Sequence, residues 1–188
     1  MIGHLYSARA AWHDAHDPHG AKRMAAYLMQ TCERSALHKH MSQAIAGQVQ
    51  DAIERIRPAY LKPFGNWLYS PAARPTEQYA AEDLVWLFAR DRLPPLRKDK
   101  EQKGRIVAKG VLHRYRHMHQ GGQGANTDPF PTGEAFRAHL KLKHGLELRS
   151  EAWSRDWGAI EQACFDVCAQ LDAEALQAVA QVLGKIVE

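Results

Sequence analysis

Between Glu134 and Trp157 the chain reads EAFRAHLKLKHGLELRSEAWSRDW. Its spacing predicts a helix, a glycine break and a second helix. Phe136, Leu140 and Leu142 fall on or near one side of the first helix, leaving Arg137, Lys141 and Lys143 toward water. Gly145 follows His144 where the residue closing a helix must turn left-handed, a conformation glycine adopts without a Cβ penalty. Leu146 and Leu148 alternate with Glu147, so a short connection returns two apolar side chains to a core. Ser150 is placed to cap the second helix through its hydroxyl, and Glu151 just inside favours the positive end of the helix dipole. Trp153 and Trp157 stand four apart and share a face, with Ser154, Arg155 and Asp156 directed elsewhere.

That order is the layout of a helix-turn-helix, whose second helix offers polar side chains to a DNA groove. The run GLELRSEAWSRDW also resembles the second half of the helix-turn-helix in arginine-repressor-type winged helices. Gly145, Leu146, Leu148, Ser154, Arg155, Asp156 and Trp157 carry the resemblance. It departs from that family at Arg149 and Ser150, which stand in place of a polar Thr/Gln pair, and no β-wing is legible downstream. A helical hairpin that packs two tryptophans is the structural alternative. In the helix-turn-helix reading, Ser150, Glu151, Ala152, Ser154 and Arg155 lie on or near the groove-facing side. Lys141, Lys143 and Arg149 then contact phosphates.

The rest of the chain suits this reading. Its 188 residues, 45% hydrophobic and 24% charged, are enough for a sizeable core in one domain or two small ones. A net charge of +4 permits a nucleic-acid partner without demanding one. Three cysteines, Cys32, Cys164 and Cys168, are too few for a disulfide scaffold and suggest a reducing compartment. The first residues, MIGHLYSARAAWHDAH, interrupt their apolar run with His4, Arg9 and His13, unlike a secretory signal, and no stretch has the apolar length of a membrane span. A cytoplasmic protein is expected.

Helical periodicity runs through most of the sequence. Residues 2–16 form one predicted helix, followed by a stop and restart at Asp17-Pro18-His19-Gly20 and a helix carrying Met24, Tyr27 and Leu28. From Ser35 to Arg57, Leu37, Met41, Ile45, Val49, Ile53 and Ile56 recur at steps of four and three, the stripe of a bundle seam. Gly47 within it suggests a close helix crossing. The aromatic cluster Phe64, Trp67, Leu68 and Tyr69 reads as a bundle cap, with a docking patch as the alternative. SPAARPTEQ reads as a loop, and Glu82–Arg92 as a helix whose apolar centre, Leu84–Phe88, belongs in the core. Pro94-Pro95 stops it. Asp172 is expected to cap a last helix running through Leu176, Val179, Leu183 and Val187.

The strongest electrostatic feature is RKDKEQKGRIVAKGVLHRYRHMHQ from Arg97 to Gln120. Eight Lys and Arg face Asp99 and Glu101 alone, a local charge of +6 that exceeds the charge of the whole chain. Ile106, Val107, Gly110, Val111, Tyr115 and Met118 keep helical spacing, so a docked helix would present Arg97, Lys98, Lys100, Lys103, Arg105 and Lys109 to phosphates. A solvated face is the plainer explanation of such a run. GGQGANTDPFPTG follows as a linker.

Metal and catalytic signatures are weak. His13, His16 and His19, the pair His113/His117 and the pair Cys164/Cys168 have chelating spacing, but no CxxC occurs. HRYRH also lacks the Glu of HExxH. The cysteines fall at apolar helix positions, where they act as small hydrophobes. There is no GxSxG and no phosphate-binding glycine loop, so neither an enzyme nor a cofactor is expected.

The expected fold is all-α. A helical bundle body spans residues 1–119 and ends in the basic helix, residues 120–131 are a Gly/Pro-rich linker, and residues 132–188 form a helix-turn-helix-bearing helical unit. The expected function is DNA-associated transcription regulation. In overall character, and in WSRDW and LDAEALQAV, the chain is also similar to phage late-gene regulators of the antiterminator kind. That similarity implies RNA polymerase as a second partner. The alternative is a protein-interaction module that uses Phe64–Tyr69 and Leu37–Ile56 as its surface.

Overall fold

A computed structural model describes residues 2–17, 37–120, 127–148 and 153–187, with side chains placed for 8–17, 44–120, 127–148 and 153–185. Among them the fold is all-α. The helices are α1 (Ile2–His16), α2 (Leu37–Glu54), α3 (Leu61–Tyr69), α4 (Pro75–Asp91), α5 (Lys98–His119), α6 (Gly133–His144) and α7 (Ala159–Val187), with a π-helical turn at Ser154–Gly158 leading into α7. The predicted helix around Met24–Leu28 lies outside the described residues, as do the Ser150 cap and its neighbours Arg149, Glu151 and Ala152.

The long helix α7 is the centre of the molecule. It packs against α1, α2, α3, α4 and α5, while α6 packs on α5. Ile160, Cys164, Val167, Cys168, Leu171, Leu176 and Val179 are buried along it at steps of three and four, the period that keeps one helix face turned inward. A continuous hydrophobic cluster joins these residues to Trp12, Val49, Phe64, Val85 and Val111. Residues on the two sides of the expected linker therefore share one core. The apolar face of α7 draws its helical partners from residues 1–119.

Several local expectations change for identifiable reasons. The segment SPAARPTEQ is only partly a loop, because α4 begins at Pro75. Its Glu77 side chain reaches back to the Arg74 N–H at 2.8 Å, satisfying a donor that the helix start leaves unpaired. Within α4, Val85 and Trp86 are buried but Leu87 is 57% exposed, since five consecutive apolar residues wrap more than one helix face. Gly47 is exposed with no described atom near its Cβ direction, so it marks no close crossing among the described residues. Phe64, Leu68 and Tyr69 are fully buried within α3. Ile45, Val49, Ile53 and Ile56 are buried too, on the stripe assigned to the interaction-module alternative.

Asp172 differs most. It caps no helix; it lies inside α7 with its side chain 2% exposed. Its carboxylate accepts from Arg9 Nη2 of α1 at 2.6 Å, from the Tyr69 hydroxyl of α3 and from the Tyr115 hydroxyl of α5 at 2.9 Å. Arg9 Nε also donates to the Tyr69 oxygen at 3.0 Å. One carboxylate thus ties four helices together, and its donors answer the cost of burying the charge. Burial and the adjacent Asp172 carboxylate raise both tyrosine pKa values, so the phenols stay protonated as donors. A second buried relay runs from Trp12 Nε1 to Asn66 Oδ1 at 3.2 Å and from Asn66 Nδ2 to Glu77 Oε1 at 2.9 Å.

Candidate nucleic-acid interface

The helix that ends at Gly145 is capped at both ends as its sequence requires. Thr132 caps α6 by accepting from the Ala135 N–H at 3.1 Å. Gly145 closes the helix at φ 65°, and its N–H and that of Leu146 return to the carbonyls of Lys141 and Leu140. Leu146 and Leu148 then turn inward, each 9% exposed. Gly110 of α5 lets α6 approach closely, because a Cβ there would fall 2.5 Å from Leu140 Cδ2 and 2.9 Å from Phe136 Cε2.

Beyond the hairpin the chain enters α7 through the π-helical turn. Trp157 is buried beneath it and Trp153 is half-buried, with ring centroids 6.4 Å apart. Ser154 and Arg155 are exposed. A single π-type turn widens the helix locally and changes which residues project, a device frequent at functional sites. Arg155 Nε donates to the neighbouring Asp156 at 2.8 Å, a solvent-exposed pairing that holds the guanidinium only weakly.

This turn is anchored by Arg114 of α5. Arg114 Nε and Nη2 donate to the two oxygens of Asp128, and Nη1 donates to Glu161 Oε1 of α7 at 2.7 Å. The other Glu161 oxygen accepts from Trp153 Nε1. The Arg114 guanidinium also stacks over Phe136 and Phe165. Arg114 is therefore an internal clamp and no part of a solvated basic face. Arg116 is also removed from that face, lying 3.9 Å from the Trp67 ring centroid, with its pKa lowered by burial.

The cations named from sequence fall into two places. At the start of α5, Arg97 and Lys98 are exposed, and Lys100 sits with Nζ 5.6 Å from the Trp157 ring centroid. Lys103, paired with Asp99 at 2.8 Å, lines an open groove of about 320 Å³ with Glu147, Leu148 and Trp157. Lys141 joins this side through Glu147 at 3.3 Å. The structure thus gathers Lys100, Lys103 and Lys141 around the turn that exposes Ser154 and Arg155. Lys109 and Lys143 instead meet between α4, α5 and α6, beside His113 and His144. There Lys109 is bonded at 2.9 Å to Glu82, which is buried. Arg105 is exposed on α5.

Protein-family models, curated proteins and solved structures give no match to the chain.

His13 Nδ1 donates to the Tyr69 carbonyl at 2.9 Å and His16 Nδ1 to the Trp12 carbonyl at 3.1 Å; His19 lies outside the described residues. Cys164 and Cys168 are fully buried in α7, and burial pushes the Cys164 thiol up to about 12 and Cys168 well above its ordinary value. Among the described residues no three His, Cys, Asp or Glu converge as a metal site, and no helix is long and apolar enough to cross a membrane. Sequence reasoning missed Glu147 and the indole of Trp157 as parts of the groove. The S-R-D-W spacing marked Trp157 only as a core residue, and nothing in the sequence signals that Lys100 reaches it.

Proposed function

We propose that the protein is a DNA-binding regulator of transcription. The carrying observation is the approach of Lys100 to Trp157, which sets the basic start of α5 beside the exposed turn of the hairpin. In this reading Ser154 and Arg155 address base edges, because the first exposed residues of a second hairpin helix are those that reach into a major groove. Arg97, Lys98, Lys100, Lys103 and Lys141 hold the flanking phosphates, which supply affinity and register without sequence preference. Asp99, Glu147 and Asp156 lie among these cations and keep the face from being uniformly positive, favouring a defined docking geometry over indiscriminate charge attraction.

The similarity to phage antiterminators makes RNA polymerase the protein partner to test beside DNA. Tyr79 and Leu87, 61% and 57% exposed on α4, are apolar groups that such a partner would cover. Co-purification with and without nuclease, read by absorbance and mass spectrometry, tests the reading. Bound nucleic acid that nuclease removes is expected. A protein partner that survives nuclease, with no nucleic acid in either sample, would replace it with a protein-interaction role.

A further inference from the structure

We propose that the His113–His139–His144 cluster makes the seat of α6 on α5 acid-labile, so that protonation of these imidazoles drives α6 off its partner. His113 of α5 and His139 of α6 stack face to face across the helix interface, with centroids 5.2 Å apart and planes 4° from parallel. His144, at the end of α6, meets His139 edge-on at 6.4 Å, and Phe130 covers another side of His139 at 4.3 Å. His139 Nε2 is buried with no hydrogen-bond partner. A neutral ring tolerates this packing, whereas protonation places like charges in adjacent stacked rings and adds an N–H with no acceptor.

Cations on both helices oppose protonation. α6 contributes Lys143, which acts on all three rings, and α5 contributes Arg116 and His117 beside His113 and Lys109 beside His144. The carboxylate of Glu82 on α4 faces His144 but is already bonded to Lys109, and Asp128 in the segment before α6 is held by Arg114. Burial first, then these cations, hold His139 and His144 below the ordinary imidazole range and pull His113 down to about 4. A folded-state pKa below the unfolded one means the open state binds more protons. The seat is therefore firm above the ordinary imidazole value near 6.5 and weakens as pH falls below it. None of this depends on what the exposed face binds.

Hydrogen exchange of the α6 amides in the full chain, corrected for intrinsic pH dependence, tests the proposal. Between about pH 7 and pH 5 protection of residues 133–144 should fall at least roughly tenfold while α7 near Asp172 keeps its protection. His113→Gln, which cannot charge, should blunt the loss. Lys143→Gln, which keeps every histidine but removes a repelling charge, should blunt it as well. Unchanged α6 protection in the wild type at about pH 5, an equal loss in α7, or the same loss in both variants would each overturn the proposal.

Discussion

Lys100 Nζ stands 5.6 Å above the Trp157 ring, joining the first turns of α5 to the turn that opens α7. The contact makes Trp157 both a core residue and the support of the candidate interface. Trp157→Ala should lower stability by ~3–5 kcal/mol through the cavity it leaves. Arg155→Ala, two positions away on the exposed side, should leave the melting temperature unchanged. Thermal melts followed by circular dichroism separate the two; equal losses would mean that Arg155 is structural.

Removing Asp172 should be among the most damaging single changes. In Asp172→Ala, Arg9 loses its counter-charge and two buried phenols lose their acceptor, a cost of about 3–5 kcal/mol. For a chain of this size that corresponds to a fall of roughly 10 °C in melting temperature. Calorimetry that found a change no larger than for an exposed Asp, such as Asp166, would show that α1, α3, α5 and α7 hold together without the network.

What the sequence revealed followed from periodicity and local backbone chemistry. The ends of α1, α5 and α6, the left-handed Gly145 and the inward Leu146 and Leu148 depend on neighbours within a few residues, so their spacing exposed them. Asp172 was misplaced because a lone Asp between apolar helical stretches reads locally as a cap. Its real partners lie 57 to 163 positions away. The basic face was partly misread for the same reason. Arg114 belongs with Asp128 and Glu161, and Lys109 with Glu82, pairings a charge count cannot anticipate. The unity of the core was hidden by the glycine-rich stretch, which resembles a domain boundary even where the following helix returns to the same core.

Glu77 should give stability a signature in acid. Burial pushes its carboxyl up, but bonds from the Arg74 N–H, the Asn66 amide and the Arg74 side chain outweigh burial and hold its pKa below the ordinary value. The folded state therefore binds fewer protons than the unfolded state. The stabilisation is complete above the unfolded carboxylate value near ~4.3 and is lost as pH falls through the lower folded value. Glu77→Gln should be less stable than wild type at neutral pH, with the gap closing below about pH 4. Urea unfolding across that range checks it, and a gap independent of pH would contradict the assignment.

The most direct test of the nucleic-acid reading is the salt dependence of binding to labelled duplex DNA, with single-stranded RNA in parallel. Affinity should fall steeply with salt, because each neutralised phosphate contributes about −0.9 to the log–log slope. Replacing Lys100 and Lys103 with Gln should reduce the slope by about two units and leave sequence preference unchanged. Lys109→Gln, whose ammonium is engaged by Glu82, should leave the slope as it was. Arg155→Ala should weaken binding to a preferred duplex on the order of tenfold to a hundredfold and flatten that preference. Absence of binding to either nucleic acid at low salt, or a slope indifferent to Lys100 and Lys103, would contradict the account.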